Sequence, residues 1–319
     1  MLLVLQRGGR ALDKVEHTTS WKLPDDAVWI ELVNPTREEE LAVESAVGVD
    51  LPTREEMAEI EVSSRLYQEH GATFMIATVL CGSDSKSPFP GPVTFVLVGD
   101  RLLTIRYVEP RAFAAFTAQA VRQPDLSRTG VTVLLGLLEA IIDRTADVLE
   151  RVSAEVEETS LTIFQAPGGA QFRPILNKLA ASHSVNGKAR ESLVSLARLI
   201  SFAMLANQIE ENREARDELR SMQRDAQSLT EHASYVSGNL TFLLDAALGL
   251  ISVDQNEITK LFSIFAVVLL PPTLISSWYG MNFKHMPELD IPIMYPLVLL
   301  CMLLSAVIPF LWIKRKGWI

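Results

Sequence analysis

The apolar residues of this chain change their period twice between the N-terminus and the end. The first third holds short runs with strand character: Met1–Leu5, Ala27–Val33, Ala72–Leu80, Val93–Val98 and Arg101–Tyr107. Asn34-Pro35 stops the second run, and a Ser-, Pro- and Gly-rich stretch, Gly82–Pro92, separates the third from the fourth. Thr36 stands three residues before Glu39, a capping-box spacing that predicts a helix through about Val47. Thr53 and Glu56 repeat the signal after Leu51-Pro52. Residues 1–109 therefore read as an α+β domain with a sheet core.

Beyond Glu109-Pro110 the period lengthens to that of helices. Leu134, Leu137, Leu138, Ile141, Ile142, Val148 and Leu149 form an apolar stripe on a helix expected from about Gly130 to Phe164, ended by Pro167-Gly168-Gly169. A second helix is expected from near Pro174 to about Leu205. These make residues 110–206 a helical region. A third helix is expected from near Asn207 with no breaker ahead of it, since Gly238 and Gly249 weaken it without ending it. Its first part, 207–257, reads as a stalk, and Glu210 to Arg224 is dense in both signs of charge.

The second change is the loss of charge. Between Lys260 and Lys284 lie about 23 uncharged residues, and between Asp290 and Lys314 about 23 more. Each run exceeds the ~20 residues that cross a hydrocarbon core. The chain is thus divided into a span at 258–282, a loop at 283–291, a second span at 292–313 and a basic tail at 314–319. Two spans put both termini on one side, and Lys314-Arg315-Lys316 marks that side as cytoplasmic. Trp312 and Trp318 suit an interface. The link from Tyr279 to Ile291 then faces outward, and with Lys284, Glu288 and Asp290 it leans acidic.

Helical spacing on the first span picks out one face: Asn256, Thr259, Ser263, Ala266, Leu270, Thr273, Ser277 and Gly280. Every member but Leu270 is small or polar. Lipid cannot satisfy such a face, so it needs tight packing against protein or a water path. One two-span chain cannot enclose water, whereas a symmetric ring of subunits can. Lining a pore, Leu270 would be an apolar collar able to gate by dewetting. Asp245, further back on the same stripe, would add a ring of carboxylates. Spacing does not decide between Phe262 and Ser263 for the axis, nor whether Pro271-Pro272 kinks the helix.

Composition narrows the function. The 319 residues carry a net charge of −10, which argues against nucleic acid as partner and suits cations. Two cysteines and five scattered histidines offer no disulfide framework and no ligand spacing. No nucleophile–base constellation or phosphate loop appears, so the chain does not read as an enzyme.

Tyr279-Gly280-Met281-Asn282-Phe283, then Met286-Pro287-Glu288-Leu289, lie between the spans and precede Lys314-Arg315-Lys316-Gly317-Trp318. This set resembles the CorA family of divalent metal-ion transporters with its Gly-Met-Asn signature. Trp29-Ile30-Glu31-Leu32, Leu51-Pro52-Thr53-Arg54-Glu55 and Ser63-Ser64-Arg65-Leu66-Tyr67 resemble the family's N-terminal domain, so the likeness covers nearly the whole chain. It implies a funnel-shaped homopentamer in the inner (plasma) membrane, and Mg²⁺, Co²⁺ or Ni²⁺ as transported ion without an organic cofactor. It implies Gly280, Met281 and Asn282 as the selectivity filter, with Thr273, Leu270 and Asn256 along the pore. Glu288, one per subunit, would concentrate cations at the mouth. The family's magnesium channels also hold Mg²⁺ between cytoplasmic domains through carboxylates. Asp217 and Asp225 are nearest the expected height here, while Ser221 occupies the register where a carboxylate is expected. A proton-coupled Zn²⁺ transporter of the same family and a membrane-anchored sensor or scaffold are the alternatives.

Overall fold

The computed structural model describes residues 1–9, 11–16, 21–59, 61–85, 87–165, 172–282 and 286–318. The helix stop expected at Pro167-Gly168-Gly169, and the Phe283 and Lys284 of the link, lie outside them. The described residues fall into two compact units, those of 1–165 and 173–244 in one, and Phe172 with those of 245–318 in the other.

The first unit opens with β1 (Leu2–Gln6), β2 (Asp13–Lys14) and β3 (Ala27–Val33), followed by α1 (Arg37–Val47), α2 (Arg54–Met57) and α3 (Val62–Arg65). Then come β4 (Leu66–Glu69), β5 (Ala72–Cys81), β6 (Phe89–Val98) and β7 (Arg101–Arg106). They form one sheet in the order β2-β1-β3-β7-β6-β5-β4, parallel only where β3 meets β7. Both capping boxes form as the sequence predicts. Thr36 Oγ1 accepts from the Glu39 amide and Thr53 Oγ1 from the Glu56 amide, each at 3.3 Å, and each glutamate returns the bond to the cap amide.

Strand β6 begins at Phe89, four residues inside the stretch read as loop. The reason is its neighbourhood. Phe89–Pro92 pairs with β5 alone, because β7 joins only from Val93 onward. A strand with one open side tolerates proline, whose missing N–H faces no partner there.

Every residue of β3 and β5 is buried, so these strands are covered on both faces. On one face Ile30, Leu32, Phe74, Ile76, Leu103 and Ile105 pack with Val43 of α1 and Met57 of α2. On the other, Trp29 is fully buried against Phe113 and Phe116 of α4 (Arg111–Arg122), with ring centroids 6.2 and 5.7 Å away. Its indole N–H donates to Thr104 Oγ1 at 2.9 Å, which satisfies a donor otherwise stranded in the core. Next to it Glu31, 2 % exposed, accepts from Arg106 Nε at 2.8 Å, and the guanidinium lies 5.0 Å from the Phe113 ring centre.

Long helices follow: α5 (Gly130–Gln165), α6 (Phe172–Ala203), the short α7 (Asn207–Glu210) and α8 (Arg213–Tyr279). Gly130 lets α5 start against the sheet. A Cβ there would lie 2.3 Å from backbone atoms of Arg101 and Leu102. The third long helix does not run unbroken from Asn207. The chain leaves helix at Glu211-Asn212, and Asn212 Oδ1 accepts the Ala215 amide at 3.1 Å, so α8 starts afresh behind an asparagine cap. Heptad seams then hold the helices: Leu179, Ser182, Asn186, Ala189, Leu193, Leu196, Ile200 and Ala203 on α6, and Ala215, Leu219, Met222, Ala226, Ala233, Val236, Leu240 and Leu243 on α8, are all buried. The buried Asn186 amide donates to the Ala233 carbonyl at 2.8 Å, a polar bond inside a largely apolar seam.

In the second unit α8 carries the first apolar span and α9 (Met294–Arg315) the second, with mean hydropathies of 2.0 and 2.5 over their most apolar windows. Helix α8 continues through Pro271 and Pro272 without interruption. Where neither proline has an N–H, Val267 and Val268 lose the helical donors for their carbonyls.

The buried ion pair generates a test. Burial raises the Glu31 pKa, against the opposing pull of Arg106. A raised carboxyl pKa favours folding in acid, and that contribution is lost as pH climbs through the raised value. Arg106→Ala leaves the carboxylate uncompensated and is expected to cost about 3–5 kcal/mol at neutral pH. The deficit should shrink as pH falls and Glu31 takes up its proton, which thermal unfolding of wild type and variant across pH will reveal.

Candidate functional site

The site begins where α8 loses its charges. Asn256, Thr259, Ser263, Ala266, Leu270, Thr273 and Ser277 are all exposed in the single chain. The partly buried positions of the same span are Ile264, Val268, Pro271, Pro272, Ile275 and Tyr279. At 3.6 residues per turn the two sets lie about 180° apart around the helix. On α9 the partly buried positions, Met294, Val298, Met302, Ser305, Ala306 and Pro309, recur at helical spacing with the buried Ile313. The small and polar face of α8 thus lies opposite the partly buried positions and is exposed, as are the apolar Phe262, Phe265, Leu269, Leu274 and Trp278 on the flanks of the helix. Phe262 and Ser263 straddle the centre of that face, and both are exposed.

The hydroxyls on this face are partly satisfied by their own helix. Thr259 donates to the Gln255 carbonyl at 2.9 Å, Ser263 to Thr259 at 2.8 Å and Thr273 to Leu270 at 2.8 Å. Each hydroxyl oxygen keeps lone pairs free to accept from water. Leu270, 61 % exposed, interrupts the polar line with an isobutyl group.

Helix α8 ends at Tyr279, and the chain turns at Gly280, whose amide still donates to the Ser276 carbonyl at 2.9 Å. A Cβ at Gly280 would come 3.1 Å from that carbonyl oxygen, so a larger residue would press on the last turn. Met281 and Asn282 follow, both exposed. Glu288 and Asp290 sit on the 3₁₀ turn Pro287–Asp290 ahead of α9 and are also exposed. Asp245 lies further back on α8 and is exposed.

Asp217 and Asp225 are not brought together. Asp217 is paired with Arg220, whose Nη1 is 3.1 Å away. Asp225 instead lines a cleft of about 540 Å³ with Glu139 and Asp143 of α5 and Glu218 and Ser221 of α8. Burial pushes the Glu139 and Asp143 pKa values up, and neighbouring carboxylates add to it: Asp143 and Glu218 for Glu139, Asp147 and Asp225 for Asp143. Among the described residues no group of three or more His, Cys, Asp or Glu side chains is disposed to hold a metal ion. Sequence reasoning passed over Glu139, Asp143 and Glu218. Their signal was acidic residues four apart, Glu139 with Asp143 and Glu214 with Glu218, on two helices that turn out to face one cleft.

An α+β fold, a helix that continues into an apolar run and a second apolar helix reached through a short Gly-Met-Asn link make a chain with two helices long and apolar enough to cross a membrane. Comparison with known proteins agrees and is more specific. The model of the CorA-like Mg²⁺ transporter proteins matches residues 24–315. The magnesium transport protein CorA of Pasteurella multocida is 33% identical over 313 residues, 97% of this chain and 96% of that protein. The corresponding Escherichia coli K12 protein is 33% identical over 325 residues, covering all of both chains. The complete structure of the CorA magnesium transporter from Methanocaldococcus jannaschii superposes with a TM-score of 0.80 at 18% identity, over 100% of this chain and 99% of that one. The chain belongs to the CorA family.

The cleft carries its own prediction. Asp225→Asn removes a negative charge from beside Asp143, and is expected to stabilise the protein by a few tenths to about 1 kcal/mol at neutral pH. The gain should vanish in acid, where Asp143 and Glu139 are protonated and repel nothing. Melting curves of the two proteins at paired pH values measure it.

Proposed function

We propose that this chain is one subunit of a homopentameric channel that carries hydrated Mg²⁺ across the inner membrane into the cytoplasm, with Co²⁺ and Ni²⁺ as further cargo. The observation that carries the reading is the uncovered polar face of α8, leading without a charged residue to Gly280 and Asn282. Such a face needs water or protein, and copies of the chain around an axis supply a water path. The relatives named above, magnesium transport proteins by name, support Mg²⁺ as the cargo.

In this reading α8 lines the pore through Asn256, Thr259, Ser263, Ala266, Leu270, Thr273 and Ser277. Magnesium holds its water octahedron tightly and sheds it reluctantly. A ring of Asn282 amide oxygens and Gly280 carbonyls at the mouth, with Met281 between them, accepts hydrogen bonds from that water and leaves the inner shell intact. Glu288 raises the cation concentration outside and Asp245 does so on the opposite side. Leu270 is the apolar collar at which the file of water is interrupted when the pore is shut. The basic Lys314-Arg315-Lys316 orients the hairpin with both termini in the cytoplasm. The driving force is the membrane potential and the ion gradient.

Purified protein in liposomes with an entrapped Mg²⁺ dye tests this directly. Under an inside-negative potential the wild type should take up Mg²⁺. Asn282→Ala should lower the rate roughly 10–100-fold, the range seen when groups beyond a metal's inner shell are removed. Absence of uptake of any divalent ion would refute the channel. Uptake of Zn²⁺ that requires a pH gradient would favour the proton-coupled branch, and wild-type behaviour of Asn282→Ala would remove the filter assignment.

A further inference from the structure

The end of α9 is built differently from a frayed helix terminus. Gly317 adopts a left-handed φ of +69°, and the chain folds back so that the Trp318 amide donates to the Ile313 carbonyl at 3.3 Å. Lys316 donates from its amide to Trp312 and Ile313, at 3.1 and 3.2 Å. With the Gly317 amide donating to the Lys314 carbonyl at 3.2 Å, the carbonyls of Trp312, Ile313 and Lys314 are all occupied, and Ile313 is buried at 3 % exposure. Around this cap Lys314, Arg315 and Lys316 are exposed, as are Trp312 and Trp318. Lys316 Nζ lies 4.8 Å from the Trp312 ring centre. Among the described residues none of the three cations is in an ion pair.

We propose that this capped end of α9 is a binding site for the headgroup phosphate of anionic phospholipids. The argument rests on α9 being a membrane span. Three positive charges follow directly on about 23 uncharged residues, which sets them at the depth of the headgroups. Two indoles at the same level prefer the interface, with their ring in the acyl boundary and their N–H toward the phosphates. The Arg315 guanidinium offers a planar fork to phosphate oxygens, and Lys314 and Lys316 act as point charges. The negative end of the helix dipole opposes an anion with only about half a charge. With the Trp312, Ile313 and Lys314 carbonyls already bonded, and with three full charges set against the dipole, the balance favours the phosphate.

The test uses full-length protein in nanodiscs of phosphatidylcholine mixed with phosphatidylglycerol, extracted gently and examined by native mass spectrometry for retained lipid. Wild type should retain phosphatidylglycerol in preference to phosphatidylcholine. Each cation near the surface is worth about 5-fold, so Arg315→Gln should lower the preference about 5-fold and a K314Q/R315Q/K316Q variant roughly 100-fold. Because the triple variant alters the charges that orient the hairpin, Trp312→Ala provides a second arm with every charge kept. Losing the cation–π partner of Lys316 should reduce the preference about 2–5-fold. Inorganic phosphate added at matched phosphate concentration should not displace the lipid. Equal retention of both lipids by the wild type, an unchanged preference in both Arg315→Gln and Trp312→Ala, or displacement by inorganic phosphate would each overturn the proposal. None of these readouts depends on ion transport, so they stand or fall apart from the channel reading.

Discussion

The rest of the structure depends on one constraint: a helix face of small and polar side chains cannot be left against hydrocarbon. Helix α8 carries such a face through an uncharged run long enough to cross a bilayer, and that face is exposed in the single chain. Hydroxyl back-bonds from Thr259, Ser263 and Thr273 soften the penalty by using the helix's own carbonyls. They do not remove it, because each oxygen still accepts. Asn256 has no such bond among the described residues. Either other protein or water must complete this surface, and a single hairpin supplies neither.

The same helix is anchored differently in the other unit. There its heptad seam buries Leu219, Ala226, Ala233 and Leu240, and Asn186 ties the Ala233 carbonyl to α6. A polar bond within an apolar seam fixes register, since sliding by one turn would strand the amide. The α+β unit beside it is held by Trp29 on Thr104 and by the Glu31–Arg106 pair. Rigid packing in one unit and an unsatisfied face in the other are two demands met by one helix. That explains why its sequence changes so abruptly near Lys260.

Much of this was legible from residue order, for identifiable reasons. Thr36 and Thr53 advertise their helices because a capping box is a local interaction, complete within four residues. The spans and the polar stripe are likewise local periodicities, and β3 was bounded correctly by Asn34-Pro35. The misses are the features that only a neighbour decides. Phe89–Pro92 is strand because it pairs with β5, and its prolines are tolerated there because β7 stops short of it. Helix α4 has no side-chain cap after Pro110, so its only local signal was the helical spacing of Phe113, Phe116 and Ala120, and Phe113 and Phe116 prove to be the lid over Trp29. Strands β2 and β4 are two and four residues long and too exposed to show alternation. At the site, the Gly280–Asn282 link could be read directly. The acidic cleft could not, since it exists only when Glu139 and Asp143 of one helix meet Glu218 and Asp225 of another.

The central claim is that the stripe from Asn256 to Gly280 faces water within the membrane. Cysteine scanning of residues 256–280 measures this most directly, in a Cys81→Ser/Cys301→Ser background and with a small membrane-impermeant thiol reagent applied to protein in liposomes. Modification should recur at 256, 259, 263, 266, 273 and 277, and Mg²⁺ should slow it at the positions nearest Gly280. Modification confined to 264, 268 and 275, or none within the span, would contradict the account.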